Sequence, residues 1–441
     1  MSSPTPTNPR FCGSSDHDLS RRDFMGGLTA AGVMSALGTS GAVTAFGGQN
    51  DLNEALKQSN KRVILLWQAG GGSQLETWDP KPGRPTGGPF LPIKTDVPGT
   101  QISELMPEMA KRMKHTCVIR SMKTGDAGHG GGASLMMRGR KDEAAIKYPD
   151  IGAILSRELG RRDSQVPDYV SFYTATEGRG NQSARSSFLG PRYNAMALTT
   201  EPAPPNLDRL ESVSEEEHHA RASLQALLNE RFLDGRKLST IKSHSQAYAR
   251  VHGLMSSQDL FDVSKEPQHI RDKYGPTLFG EQVCIARRMV EAGVPFVRIS
   301  RAWWDSHGQN FETHQELVPE FDRVLSALID DLKDRGMLDD VLIVTMGEFG
   351  RTPRINGSLG RDHFANAWSV AMAGCGVQGG AVYGVSDEDG NNVKENPVNA
   401  GDYFATICKA VGLDPHKEYH VGARPVPLVN PGHKAVDEVL A

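Results

Sequence analysis

The chain has 441 residues, 38% of them hydrophobic and 23% charged, a globular composition sufficient for one large or two ordinary domains. A net charge of −4 gives no electrostatic case for a nucleic-acid partner, and no segment beyond the first 45 residues is apolar enough to span a bilayer. The five cysteines are far apart and form no CxxC metal pattern; Cys117 and Cys284 sit in apolar runs where a free buried thiol is ordinary.

Ser20-Arg21-Arg22-Asp23-Phe24-Met25 resembles the twin-arginine export consensus, and 26–45 is a mildly apolar run rich in Gly, Ala, Ser and Thr. A charged region, an apolar region and small residues at a cut site are the parts of a signal peptide. Val43-Thr44-Ala45 suits cleavage after Ala45. An uncleaved anchor is the alternative, but the glycines and hydroxyls make a poor lipid-facing helix. The expected domains are therefore a signal at 1–45 and a single α/β domain at 46–441, periplasmic or extracellular, with the twin-arginine translocase as a partner and no stable membrane span after cleavage.

In chain order, Val63-Ile64-Leu65-Leu66-Trp67 is a buried strand ending in Gly70-Gly71-Gly72-Ser73. The Pro/Gly-rich 80–98 stretch is a surface loop, 102–113 is amphipathic, and Thr116-Cys117-Val118-Ile119 is a second strand. Asp150 caps a helix closed by Gly160. Tyr169-Val170-Ser171-Phe172 is another strand. Residues 200–270 are polar, with Leu224, Leu227, Leu228 and Phe232 at helical spacing, and read as a helical insertion or cap. A helix over 278–292, a strand over 294–299, and one apolar stripe of Leu317, Phe321, Val324, Leu325, Leu328, Ile329 and Leu332 follow. Strands at 341–345 and 368–373 and a helix at 403–411 complete the pattern. Alternating strands and helices predict a mainly parallel central sheet with helices on both faces.

In such sheets ligands bind beyond the carboxyl ends of the strands. The first strand is followed by Gly71, Gly72 and Ser73, whose amides could approach an anion closely, although a plain tight turn explains them as well. The second is followed by Asp126, His129 and Ser134 among glycines; His129 has little apolar neighbourhood to pack against and is a candidate ligand or base. The 294–299 strand is followed by Trp304-Asp305-Ser306-His307-Gly308, a carboxylate and an imidazole able to turn toward one cation. His314 reads as a helix-surface residue. The 341–345 strand leads to Gly347-Glu348-Phe349-Gly350-Arg351-Thr352-Pro353, where Glu348 could hold a cation and Arg351 could clamp an oxyanion or pair with Glu348. Gly360-Arg361-Asp362-His363 adds two further donors. Asp305, His307, Glu348, Asp362 and His363 are thus the candidate metal ligands, His129 and Arg351 the candidate catalytic pair, and Gly71, Gly72, Ser73 and Asp126 the candidate substrate contacts.

From Asp305 to Gly376 this order resembles the alkaline phosphatase superfamily, which includes sulfatases. Trp78-Asp79-Pro80-Lys81-Pro82, Trp304-Asp305-Ser306-His307-Gly308, Gly347-Glu348-Phe349-Gly350-Arg351-Thr352-Pro353 and Gly360-Arg361-Asp362-His363 resemble more specifically an exported branch, the domain-of-unknown-function 1501 family. The resemblance implies an alkaline-phosphatase-like fold. It also shows departures. Ala69 stands where the superfamily has a ligand Asp, Glu348-Phe349-Gly350 stands for Asp-His-Gly, and His129 is prominent where the nucleophile falls. Half the ligands of one metal of a two-metal site are missing, so one ion held by Asp305, His307 and His363 is expected, as zinc, calcium or manganese. The implied function is an exported metal-dependent hydrolase of phosphate or sulfate esters, including those of extracellular polysaccharide. The alternative is a non-catalytic member that binds an anionic glycan or a protein at the same cleft.

Overall fold

Arg62–Gln68 (β1) is apolar along nearly its whole length and buried at every position, as a parallel strand covered on both faces must be. Ile64 and Leu66 enter one core cluster and Val63, Leu65 and Trp67 the other, so the period-two alternation divides side chains between two cores rather than between core and solvent. In this computed structural model, residues 54–161, 164, 166–172, 185–198, 203, 210–233, 253, 255 and 257–441 are described. The expected export segment around Arg21 and Arg22 lies outside them. Leu56–Ala441 forms one compact unit.

The other main strands are Thr116–Met122 (β2), Tyr169–Phe172 (β3), Met196–Leu198 (β4), Phe296–Arg301 (β5), Val341–Gly347 (β6), Trp368–Gly374 (β7) and Val382–Tyr383 (β8). They form one eight-stranded sheet in the order β8-β2-β7-β6-β1-β5-β3-β4. All neighbours pair in parallel except β7, which runs antiparallel to β2 and β6. Gln68 stands in register with both Arg301 and Gly347, so the loops leaving β1, β5 and β6 start at one level. The C-terminal end of β2 and the N-terminal end of β7 meet the same edge.

Helices His129–Arg138 (α1), Ile151–Leu159 (α2) and Ala400–Ala410 (α6) cover one face. Leu278–Glu291 (α4) and Asn310–Asp334 (α5) cover the other. The fold class is the expected one. α5 carries the expected apolar stripe but begins at Asn310, with Pro319 inside it. This places His314 in the buried interior, fully inaccessible, rather than on the helix surface. The expected cap at Asp150 differs, and so does the setting of Ser134. The Asp150 carboxylate accepts from Arg138 Nε and Arg185 N instead of its own helix. Ser134 lies inside α1, whose N-cap is Gly128. The amphipathic 102–113 stretch is a short strand, Gln101–Ser103, followed by one turn of helix, Pro107–Ala110.

Within 200–270, the helix Glu215–Leu233 (α3) is described, with Leu224, Leu227, Leu228 and Phe232 all exposed. Cys117, Cys284, Cys375 and Cys408 are free and buried. Among the described residues no helix is long and apolar enough to cross a membrane.

Candidate functional site

The site is built where four loops leave or enter the sheet edge. Gly70 has φ +106°, and a Cβ there would stand 2.5 Å from the Asp305 nitrogen; at Gly71, φ +82°, it would stand 2.6 Å from the Phe349 carbonyl. These glycines let three strand-exit loops approach backbone to backbone. Their amides face protein acceptors. Gly70 N donates to Glu348 Oε1 at 2.9 Å, Gly71 N to the Gln68 carbonyl at 3.0 Å, and Ser73 N to His314 Nε2 at 3.0 Å. Gly71 and Ser73 therefore offer no free amide to an anion, and Gly72 packs between Gln68 and Trp304. Because His314 Nε2 accepts from Ser73, its proton sits on Nδ1, 2.8 Å from the Asn310 carbonyl. Burial holds this imidazole neutral by lowering its pKa.

Three histidines converge on Asp305. His129 Nε2 lies 3.1 Å from Asp305 Oδ2, and His363 Nε2 and His307 Nε2 lie 3.0 and 3.1 Å from Oδ1. The Nε2 atoms of His307 and His363 are themselves 3.0 Å apart. Each ring holds its other nitrogen on an acceptor: His129 Nδ1 on Glu348 Oε1 at 2.9 Å, His307 Nδ1 on Asp362 Oδ1 at 2.8 Å, and His363 Nδ1 on the Ala127 carbonyl at 2.8 Å. Donation from Nδ1 leaves Nε2 as a lone-pair donor. Lone pairs and carboxylate oxygens packed at these separations repel one another unless a proton or a cation lies between them. Tetrahedral ligands at a zinc-like bond length stand about 3.3 Å apart, close to the distances seen. His129, Asp305 and His363 form a group able to hold a metal ion, and His307 adjoins it.

Protons serve part of this role without a cation. Hydrogen bonds to Asp305 and Glu348 push the His129 pKa up to about 9. Burial opposes ionisation of Asp305, but His129, His363 and the Arg351 charge outweigh it and hold the carboxyl far below its usual range.

The network also sorts the expected residues. Asp305, His307 and His363 lie together, and His129, expected as a nucleophile or base, joins them. Glu348 and Asp362, expected as ligands, stand behind His129 and His307 instead. Glu348 is buried, and its Oε2 has no hydrogen-bond partner. Arg351, expected to clamp an oxyanion, is fully buried. Its guanidinium donates to Asp305 Oδ1 at 2.6 Å, Gly71 O at 2.9 Å, Arg361 O at 3.1 Å and Gly70 O. It therefore fixes Asp305 from beneath. Asp126 accepts from Gly128 N at 3.1 Å and pairs with Lys141 at 3.0 Å, an arrangement at the start of α1 rather than in the cluster.

Two groups went unread in the sequence. Arg361, fully buried, donates to Glu76 Oε1 at 2.7 Å, Thr86 O at 2.8 Å, Thr352 O at 3.1 Å and Pro353 O. It ties the loop after β1 to the loop carrying Asp362 and His363. The only local signal was an arginine adjoining those two donors. Glu76, its partner, is fully buried as well and carried no local signal.

A family model described as "Protein of unknown function (DUF1501)" matches residues 60–440, and the chain belongs to that family. No curated protein matches the sequence significantly. Among solved structures, the chain is similar to a phosphonate monoester hydrolase of Agrobacterium radiobacter, at 12% identity and a TM-score of 0.41, covering 85% of this chain and 76% of that one. It is also similar to a sulfatase from Pseudoalteromonas sp., at 13% identity and a TM-score of 0.38, covering 84% and 72%. A third is a protein in the alkaline phosphatase superfamily from Vibrio parahaemolyticus, at 12% identity and a TM-score of 0.34, covering 82% and 75%. These likenesses are loose, and the chemistry of this chain does not rest on them.

Proposed function

We propose, with membership of the DUF1501 family as the premise, that this chain is a metal-dependent hydrolase of phosphate or sulfate esters that works outside the cytoplasm. The observation that carries the reading is the convergence of three imidazole Nε2 atoms on the Asp305 carboxylate, each ring oriented by an acceptor on its far side. Asp305, His129, His307 and His363 are the proposed ligands. Three imidazoles and one carboxylate suit zinc or manganese; calcium, which takes six to eight oxygen ligands, suits them poorly. A divalent ion there would supply Lewis acidity and a bound water of lowered pKa.

The residues around it do the rest. Glu348, Asp362 and the Ala127 carbonyl keep the Nε2 atoms basic and aimed, the outer support that metal-binding histidines require. Arg351 holds Asp305 in place. The open side is the His307–Asp362 side, where these groups are 48% and 54% exposed. Asp362 accepts from His307 Nδ1 at 2.8 Å there and orients that ring. Ester groups of extracellular polysaccharide fit an exported enzyme, and Arg21–Arg22 is the proposed address for the twin-arginine translocase.

A second reading keeps the metal without the reaction. Four protein ligands resemble a closed structural centre more than an open catalytic one, which favours binding of an anionic glycan or protein at the same cleft. Purified chain is assayed for bound metal and for cleavage of aryl phosphate and aryl sulfate, beside Asp305→Ala and His363→Ala. The hydrolase reading expects stoichiometric metal and a turnover that both variants abolish. Bound metal with no turnover selects the binder, and absence of metal at neutral pH ends both.

A further inference from the structure

The rim of the site is strained in an unusual way. Among described residues outside glycine, a positive φ occurs at Asn60, Ser187, Trp303, Gln309, Leu359 and Asn396. Three of these lie in the two loops that carry His307 and His363. Trp303 has φ +74° and is 59% exposed; Leu359 has φ +56° and is 58% exposed. A bulky side chain in the left-handed region costs on the order of 1–3 kcal/mol, and such residues cluster at ligand sites. The two loops are tied edge to edge: Gln309 N donates to Ser358 O at 3.1 Å, and Asn310 N to Leu359 O at 2.9 Å.

The turn at Trp303 lets the next residue's N donate to the Ala69 carbonyl at 3.2 Å. That next residue, Trp304, takes the buried position, with its ring 5.7 Å from His314 and 5.9 Å from Phe321. Trp303 makes no ring contact among the described residues. Trp67, Trp78, Trp304 and Trp368 are all essentially inaccessible, so of the five tryptophans this one alone faces solvent. It does so two residues from Asp305 and four from His307.

The structure assigns Trp303 as the platform on which a pyranose ring of the substrate lies, with its ester group directed toward Asp305, His307 and His363. This rests on the hydrolase reading and deepens it to esters carried on a sugar. An indole presents a flat apolar face with a large contact area and few rotatable bonds. The C–H face of a sugar matches that surface, while its hydroxyls need hydrogen-bonding groups close by. The exposed Gln309 and Asp362 supply those groups from the two tied loops. Leu359 closes the rim as a second apolar lip. A flat aromatic alcohol would use the indole but leave those polar groups unmatched.

The experiment reads tryptophan emission of the purified chain, in which the solvent-exposed component belongs to Trp303. Wild type and Trp303→Phe are titrated with a sulfated tetrasaccharide, its desulfated form and phenyl sulfate. Trp303→Ala is followed with the sulfated tetrasaccharide by calorimetry. The proposal expects a blue shift in wild type with both saccharides, absent in Trp303→Phe. It also expects about tenfold weaker binding in Trp303→Ala, the equivalent of roughly 1.4 kcal/mol, with an unchanged circular dichroism spectrum. Equal saccharide binding in wild type and Trp303→Ala overturns it, as does a response to phenyl sulfate alone. Saccharide binding that persists while metal is absent leaves the platform standing and sinks the hydrolase reading; bound metal without a saccharide response does the reverse.

Discussion

Glu76→Gln removes one charge from the ion pair that locks the first loop of the sheet to the His363 loop. Glu76 and Arg361 are both fully inaccessible, and one carboxylate oxygen accepts from the guanidinium at 2.7 and 3.2 Å. Removing one partner of a buried pair strands the other charge and costs about 3–5 kcal/mol. Arg361 keeps carbonyl acceptors at Thr86, Thr352 and Pro353, which places the expected loss at the lower end, about 3 kcal/mol. The pH dependence follows from the direction of the shift. Burial alone would raise the Glu76 pKa, but the Arg361 guanidinium outweighs it and lowers it below the ordinary carboxyl value. Stability from a depressed carboxyl is present above its unfolded pKa and lost as pH falls through the folded value. The deficit of Glu76→Gln should therefore be full at neutral pH and shrink on acidification below about 4.5. Urea unfolding of both proteins at a series of pH values measures it, with Glu76→Gln/Arg361→Met as the control that removes both charges and should recover part of the loss. A deficit below about 1 kcal/mol at neutral pH, or one that does not change with pH, would refute the reasoning.

Arg351→Lys keeps the charge but cannot hold Asp305 and three carbonyls at once; metal affinity should fall about 10–100-fold by calorimetry, and an unchanged affinity removes Arg351 from the positioning role. Gly70→Ala introduces a Cβ 2.5 Å from the Asp305 nitrogen at a positive φ, so it should destabilise by more than about 1 kcal/mol and weaken metal binding as well; stability at or above wild type in urea unfolding would contradict the close approach. Burial pushes Asp322 up to about 6, despite amide donors at Glu108 and Met109. A raised carboxyl pKa costs the fold stability once the group ionises. Asp322→Asn should therefore gain relative to wild type as pH rises from about 4 to about 7, and a flat difference across that range counts against it.

The sheet was legible because parallel strands buried on both faces leave unbroken apolar runs, as at 63–67 and 341–345. The site edge was legible because each run ends in a polar group with no packing reason to be there. What the chain could not announce is which polar group touches which. His129 and Glu348 are 219 residues apart, and only the shared sheet edge makes one the support of the other. His314 sits on a helix with an apolar stripe yet is buried, because Ser73 supplies a donor from across the fold. Glu76 carried no pattern, since a buried ion pair is defined by its partner. The start of α5 was missed because the apolar stripe begins only at Leu317, leaving the polar first turns from Asn310 outside it.

One antiparallel strand has a consequence for how the centre is assembled. Because β7 runs against its neighbours, the chain leaves β6 and re-enters the sheet at the same edge, with no crossover helix between. Glu348, Arg351, Arg361, Asp362 and His363 therefore belong to one short excursion whose closure costs little chain entropy. Asp305 and His129 must be brought from much farther along the sequence. Half of the centre is thus a local hairpin-like unit able to form early, and the other half is set only when the strands on either side of it are docked.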